Sequence, residues 1–93
     1  MDEKDIVNMV NEVFEESFEI DKKELDPAKH VFNDLGLDSL DTVDLVVALQ
    51  HKFNVKIRND ERVRDIRTLG DIYKFILALK NEGILEPPTD NKN

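Results

Sequence analysis

The sequence predicts an all-α fold, a small antiparallel four-helix bundle with three main helices, one short helix and a long first loop. Three segments have apolar residues at the three- and four-residue steps of a helix, namely residues 4–18, 39–53 and 68–82. Residues 54–57 alternate polar and apolar side chains, but a lone short strand has nothing to pair with. A chain of 93 residues suffices for one domain, which we assign to residues 1–85, with a disordered tail at 86–93.

The predicted first helix is amphipathic, and the connection after it is long. Acids fall between the apolar positions of residues 4–18, and Asp2 favours the helix N-terminus because that end of the helix dipole is positive. Residues 19–37 lose helical periodicity, and Asp26 before Pro27 marks a turn. We expect three apolar side chains to attach this loop to the core: Val31, Phe32 and Leu35.

The predicted central helix carries two adjacent apolar stripes. Asp38 is a strong N-cap residue, so Ser39 falls at the first helical position with its side chain toward solvent. Because the apolar surface is so wide, we expect neighbouring elements to contact this helix on two sides. One stripe consists of Leu40, Val43 and Val47, and the other of Leu45, Val46, Leu49 and Phe53.

Two further helices are predicted after residue 57. Asn59 or Asp60 caps the short helix. Thr68 and Asp71 form a capping box for the last helix, and Gly83 terminates it. Inward positions in this region are Val63, Ile66, Leu69, Ile72, Phe75, Ile76 and Leu79, and Ile84 and Leu85 are expected to fold back on the last turn.

Charge is distributed unevenly along the chain. The formal net charge of −8 disfavours nucleic acids and anionic membranes as partners and favours basic protein surfaces. Residues 1–50 hold fourteen acids and four lysines, whereas residues 51–93 hold seven acids and nine basic residues. The arginines all lie in one short stretch and are Arg58, Arg62, Arg64 and Arg67.

The composition also restricts the chemistry. The sequence has no cysteine, so disulfides, thiolate metal sites and thiol chemistry by the chain itself are excluded. No segment approaches the ~18 consecutive apolar residues of a membrane span, and the N-terminus is acidic where a targeting signal would be basic. We expect a cytoplasmic monomer without stable membrane insertion.

Metal and hydrolase sites are not indicated. His30 and His51 are far apart in the sequence and have no cysteine to complete a zinc site. Apolar residues between Asp34 and Asp44 interrupt the alternating oxygen ligands that a calcium loop needs. A catalytic Ser39 would require a base that only a chance approach of a histidine would supply. We expect no metal and no enzymatic activity.

The Ser39 hydroxyl has two interpretations. It is either an alternative N-cap, with Asp41 or Thr42 completing the first turn, or an exposed attachment point for a phosphate-linked group. Phosphate esters are stabilised near helix N-termini. The spacing of the residues does not decide between the two interpretations.

The segment around Ser39 resembles the prosthetic-group motif of acyl carrier proteins. The matching residues read Asp34-Leu-Gly-Leu-Asp-Ser39-Leu-Asp41, followed by Thr-Val-Asp-Leu45 and Ala48-Leu49, and the similarity covers roughly residues 5–82. The resemblance implies that a phosphopantetheinyl transferase attaches 4′-phosphopantetheine from coenzyme A to Ser39. Acyl groups would then be carried as thioesters on its terminal sulfur.

The resemblance implies roles for two further groups of residues. Acyl-loading, synthase and acyltransferase enzymes are expected to recognise a docking surface through their basic clefts. This docking surface consists of Asp38, Leu40, Asp41, Val43 and Asp44. In this family part of the core can open to shelter an acyl chain, and we assign that core to Phe32, Leu49, Val63, Ile66, Leu69 and Ile76.

The sequence departs from the family pattern after the central helix. Carrier proteins of fatty-acid synthesis usually have glutamates and an acidic short helix there, whereas this chain has Lys52, Lys56 and the four arginines. Like charges repel, so we assign partner selectivity to the arginines and expect a specialised lipid or polyketide-type pathway. Reversal of Arg62 and Arg64 to Glu should then improve binding to standard fatty-acid synthase enzymes. The alternatives to an acyl carrier function are an aminoacyl or peptidyl carrier and a protein-interaction module that carries no group.

Overall fold

The computed structural model describes residues 2–57 and 61–83, and this part of the chain contains three α-helices and two 3₁₀-helices. Helix α1 spans Glu3–Phe18, α2 spans Ser39–Phe53 and α3 spans Leu69–Asn81. The 3₁₀-helices are Lys22–Glu24 and Glu61–Asp65. The predicted all-α class is confirmed.

The predicted short helix is present as a 3₁₀-helix. It spans Glu61–Asp65, and the Ile66 N–H donates to the Val63 carbonyl at 3.3 Å, which is the three-residue spacing of a 3₁₀-helix. Its predicted caps, Asn59 and Asp60, lie outside the described residues. The same is true of the predicted contacts of Ile84 and Leu85 and of the predicted tail at 86–93.

Each of the helices α1, α2 and α3 begins with a capping box. In α3, the Asp71 N–H donates to the Thr68 hydroxyl at 3.2 Å, and the Asp71 carboxylate accepts from the Thr68 N–H at 3.0 Å. Asp therefore replaces the commoner Glu of this motif, as predicted. Helix α1 has the same arrangement between Asp2 and Asp5 and begins one residue before its predicted start.

Backbone hydrogen bonds attach the long first loop to the start of α3. The Val31 N–H donates to the Arg67 carbonyl at 2.8 Å, and the Gly70 N–H donates to the Pro27 carbonyl at 3.0 Å. A Cβ at Gly70 would lie 3.1 Å from that Pro27 oxygen. Glycine therefore permits this close approach of the loop to α3, whereas a residue with a Cβ would require the two backbone segments to shift.

The side chains of the loop contact the core in the predicted way. Val31 is 2% exposed, and Phe32 and Leu35 are partly buried against the core. The Asp26 carboxylate accepts from the Ala28 N–H at 2.8 Å and forms the predicted turn. The loop is thus an ordered connection that leads to the start of α2.

The hydrophobic core is built on α1, which packs against both α2 and α3. The buried Tyr73 hydroxyl donates to the Asn11 side-chain oxygen at 2.6 Å and links α3 to α1. Burial raises the pKa of Tyr73 and keeps its hydroxyl protonated. The largest fully buried side chains are Ile6, Val10, Phe14, Val31, Leu49, Leu69, Ile72 and Ile76.

Neighbouring elements cover only one of the two apolar stripes of α2, contrary to the expectation for so wide an apolar surface. Leu45, Leu49 and Phe53 are buried, each at most 3% exposed, as predicted for one stripe. The other stripe faces solvent, with exposed fractions of 75% for Leu40, 61% for Val43 and 44% for Val47. Helical spacing shows which residues share a face, but it does not show whether another element covers that face.

Residues 54–57 form no strand. Val55 and Ile57 are nonetheless buried, and the Ile57 N–H donates to the Gln50 side-chain oxygen at 2.7 Å. The Gln50 side chain therefore supplies the hydrogen-bond acceptor that a neighbouring strand would have supplied.

Over residues 2–57 and 61–83, no helix has the length and apolar character that crossing a bilayer requires.

Candidate functional site

Ser39 is the first residue of α2, and its side chain is exposed. The Asp41 N–H donates to the Asp38 carboxylate at 2.9 Å, and the Asp38 N–H donates to the Asp41 carboxylate at 3.1 Å. This capping box satisfies the first turn without Ser39, so the interpretation of Ser39 as the N-cap is wrong. Among the described residues, no hydrogen bond uses the Ser39 hydroxyl.

The turn before α2 sets the position of Ser39. Gly36 has a φ of +79°. In this left-handed conformation a residue with a Cβ would have a conformational energy higher by roughly 1 kcal/mol. The turn directs Leu37 inward, where it is 7% exposed and its N–H donates to the Val31 carbonyl at 3.0 Å. Asp38 then continues in extended backbone to the helix. Burial of Leu37 therefore anchors the chain immediately before the exposed serine.

The predicted docking residues lie together around the N-terminal half of α2. Asp38, Leu40, Val43 and Asp44 are exposed, and Asp41, whose carboxylate takes part in the capping box, is half-buried. Val47 continues the same apolar stripe. The sequence placed Val47 in the same stripe as Leu40 and Val43, but the predicted docking surface did not include it.

Lys52 connects the opposite end of α2 to α1. Its ammonium group lies 2.8 Å from the Glu12 carboxylate and 3.7 Å from the Glu16 carboxylate. The hydrogen bond to Glu12 raises the pKa of Lys52. The sequence did not predict this contact, because ion pairs between separate helices leave no periodic signal.

A cavity of about 170 Å³ lies between α2, the loop and the region of the second 3₁₀-helix. Four of the predicted acyl-core residues line it: Phe32, Leu49, Val63 and Ile66. Leu69 and Ile76, also assigned to that core, are fully buried but do not line this cavity. The remaining lining residues are Thr42, Leu45, Val46, Arg64, Arg67 and Phe75.

The structure separates the predicted arginine cluster into different environments. Arg62 donates to the Glu82 carboxylate at 2.6 and 3.2 Å, and its guanidinium lies 5.4 Å from the centroid of the Phe75 ring. Arg64 and Arg67 are exposed and line the cavity. The fourth arginine, Arg58, lies outside the described residues.

His30 has a structural role in the first loop. Its Nδ1 accepts from the N–H groups of Phe32 at 3.2 Å and Asn33 at 3.1 Å. The His30 N–H donates to the Asp34 carboxylate at 2.8 Å. In the described part of the chain, no three His, Asp or Glu side chains are grouped so that they could hold a metal ion.

The environment of Ser39 is suited to a phosphate diester. The hydroxyl is exposed and unused by the capping box, and it lies at the positive end of the helix dipole. The apolar residues beside it, Leu40 and Val43, are open to a partner. These features fit a group that an enzyme attaches from outside.

Comparison with known proteins agrees with this geometry. The family model described as the phosphopantetheine attachment site matches residues 6–76. The chain is 40% identical over 80 residues to an acyl carrier protein of Prochlorococcus marinus, covering 86% of this chain and 99% of the relative. It is 35% identical over 79 residues to acyl carrier protein 2 of Ralstonia nicotianae, covering 85% of this chain and 96% of the relative. The chain therefore belongs to the acyl carrier protein family, whose site binds 4′-phosphopantetheine.

Proposed function

We propose that the protein carries acyl groups on 4′-phosphopantetheine attached to Ser39 and that it catalyses no step itself. The observation that carries this proposal is the exposed Ser39 hydroxyl, which begins α2 and is not needed for its capping box. It lies within the part of the chain that matches the attachment-site family. When bound, the group supplies a terminal thiol that holds an acyl group as a thioester.

The attachment step needs an external base. The Ser39 oxygen attacks the phosphorus of coenzyme A that bears the pantetheine, and its proton passes to a base on the transferase. The new Ser39 oxygen–phosphorus bond replaces the bond to the second phosphate, which leaves with its electron pair as adenosine 3′,5′-bisphosphate. Neither His30 nor His51 lies at the start of α2 in this structure, which supports a base supplied by the partner.

The docking surface is proposed to bind basic clefts of the transferase and of the acyl-loading, synthase and acyltransferase enzymes. The exposed Leu40 and Val43 provide apolar area at its centre, and Asp38 and Asp44 provide negative charge around them. Apolar contacts surrounded by complementary charge favour fast and specific association. Val47 extends the surface toward the middle of α2.

A direct test uses the two serines of the chain. The protein is incubated with coenzyme A and a broad-specificity phosphopantetheinyl transferase, and its mass is measured. Wild type and Ser17→Ala should gain one phosphopantetheine, and Ser39→Ala should gain none. Ser17 is a matched control because it is also exposed and lies near the end of α1. Modification of Ser39→Ala, or no modification of wild type, would contradict the proposal.

We further propose that the protein serves a specialised pathway. The support is the basic character of the region after α2, where Arg64 and Arg67 are exposed. Enzymes that recognise an acidic surface there would be repelled. Loading and elongation by standard fatty-acid synthase enzymes should therefore be slow, and normal efficiency would contradict this part of the proposal.

The structure changes which charge reversal is informative. Arg62 binds Glu82, so reversal of Arg62 to Glu would remove this ion pair and place two carboxylates near each other. Arg64→Glu removes no ion pair with a described residue. This single variant should improve binding to standard enzymes, and no improvement would count against the electrostatic explanation.

A further inference from the structure

We infer that the cavity selects a short acyl group whose far end bears a carboxylate, and that Arg64 and Arg67 bind this carboxylate. The inference rests on the proposed carrier function and specifies the class of acyl group. It follows from three features of the cavity, namely its size, its position relative to Ser39 and the charge of its lining.

The size of the cavity limits the length of the acyl group. Its volume is about 170 Å³, close to the roughly 150 Å³ of an apolar protein cavity that accommodates benzene. Apart from Thr42 and the two arginines, the lining residues are apolar, with Phe32, Leu45 and Phe75 among them. A short chain of methylene groups would therefore fill the cavity, and a long fatty acyl chain would not fit without expansion of the core.

The cavity lies within reach of the attachment site. Thr42 lines the cavity and follows Ser39 by three positions, so the two residues share a face of α2 and are separated by about 4.5 Å along the helix axis. The other α2 residues of the lining, Leu45, Val46 and Leu49, continue inward from Thr42. A group held on Ser39 can thus enter at the start of α2.

The arginines give this apolar cavity a positive edge. Among the described residues, no carboxylate forms an ion pair with Arg64 or Arg67, whereas Arg62 is bound to Glu82. A guanidinium nitrogen of Arg67 donates to the carbonyls of Arg64 at 2.7 Å and Ile66 at 3.0 Å. These bonds fix the Arg67 side chain at the cavity and leave its other donors available.

A carboxylate is the partner that this arrangement fits. Guanidinium groups bind carboxylates through two parallel, charge-assisted hydrogen bonds. A methyl-terminated acyl chain would fill the apolar part and leave the Arg64 guanidinium, and the donors of Arg67 that do not bind the Arg64 and Ile66 carbonyls, without a carboxylate partner. A carboxylate-terminated chain of similar length would satisfy the apolar lining and the cations together.

The test compares two acyl groups of equal carbon number on the whole protein. A transferase loads the protein from adipoyl- or hexanoyl-coenzyme A, and mass spectrometry verifies the loading. Hydroxylamine then cleaves the thioester, and the rate of cleavage reports how far the acyl group is sheltered. We expect the adipoyl thioester to be cleaved about tenfold more slowly, which corresponds to about 1.4 kcal/mol.

Arginine variants identify the source of this difference. Arg64→Gln, which removes no hydrogen bond among the described residues, should speed cleavage of the adipoyl form and leave the hexanoyl form unchanged. Lys56→Gln is the control, because Lys56 is an exposed cation that does not line the cavity. Chemical shifts of Val46 and Val63 in the NMR spectrum should change with the adipoyl group in wild type and change less in Arg64→Gln.

Three outcomes would overturn the inference. They are equal cleavage rates for the two acyl groups, a difference that persists in Arg64→Gln, and the same arginine-dependent shifts in protein that carries phosphopantetheine without an acyl group. The last result would assign the arginines to the phosphate of the prosthetic group. Failure of both acyl groups to load would instead refute the proposed carrier function.

Discussion

Leu49 and Leu40 are the same residue type on the same helix, yet Leu49 is 1% exposed and Leu40 is 75% exposed. Leu49 belongs to the face of α2 that packs into the core with Leu45 and Phe53. Leu40 belongs to the opposite face, beside Ser39 and the acids of the docking surface. The difference teaches that one face of α2 stabilises the fold and the other is left available for partners.

The largest expected effect distinguishes the two faces by stability. Leu49→Ala should lower the free energy of unfolding by about 2–5 kcal/mol, because it leaves a cavity in the core. Leu40→Ala, the same change on the exposed face, should alter it by no more than about 0.5 kcal/mol. Urea denaturation measures both. A large loss for Leu40→Ala would show that the outer face is also structural.

The second effect distinguishes the faces by recognition. Leu40→Ala should lower kcat/KM of the phosphopantetheinyl transferase about tenfold, a loss of about 1.4 kcal/mol, because it removes apolar contact area at the docking surface. Lys4→Ala, on the exposed first turn of α1, is the control and should have little effect. Equal kcat/KM values for wild type, Leu40→Ala and Lys4→Ala would show that Leu40 is not part of the docking surface.

A third comparison uses the caps of two helices. Asp38→Ala and Thr68→Ala each remove the N-cap side chain of a capping box and should each cost about 1 kcal/mol of stability. Only Asp38→Ala should also slow the transferase, since Asp38 adjoins Ser39. If Thr68→Ala slows modification equally, the effect of Asp38 reflects helix stability instead of recognition.

The smallest expected effect concerns pH. Hydrogen bonds from the backbone, led by the one from Thr68, lower the pKa of Asp71. The pKa of an Asp in the unfolded chain is about 3.9. The ionised Asp71 therefore contributes its full stabilisation of the fold above that pH, and this stabilisation is lost as the pH falls through the lower pKa of the folded state. Asp71→Asn should reduce stability by about 1 kcal/mol at neutral pH.

The stability difference between wild type and Asp71→Asn should shrink when urea denaturation is repeated in increasingly acidic buffers below about pH 4. Lys80→Gln provides a control for a change of one charge on the same helix. A difference that stays constant in acid would contradict the role of the Asp71 carboxylate.

Local features of the fold were predictable from the sequence. Asp38 and Thr68 were recognised as caps because the hydrogen bonds of a capping box join residues only three positions apart. Spacing also located both apolar stripes of α2, since residues that share a helical face recur with its period. Whether a face is covered depends on the rest of the fold, and the stripe of Leu40 was therefore wrongly expected to be contacted.

Contacts between distant segments were not predictable. The Arg62–Glu82 and Lys52–Glu12 pairs join separate elements, and no motif relates their positions in the sequence. Attachment of Pro27 to Gly70 likewise depends on where the loop crosses α3. For the candidate site, the exposure of Ser39 was predicted from its place after the cap, whereas the arginine-lined cavity required the folded structure.

The most direct test of the central claim is mass spectrometry of the protein isolated from its native host, with the peptide that contains Ser39 analysed separately. We expect phosphopantetheine on that serine in most molecules, together with an acyl group in a fraction of them. Native protein that is wholly unmodified at Ser39, and that a competent transferase also leaves unmodified, would contradict the claim.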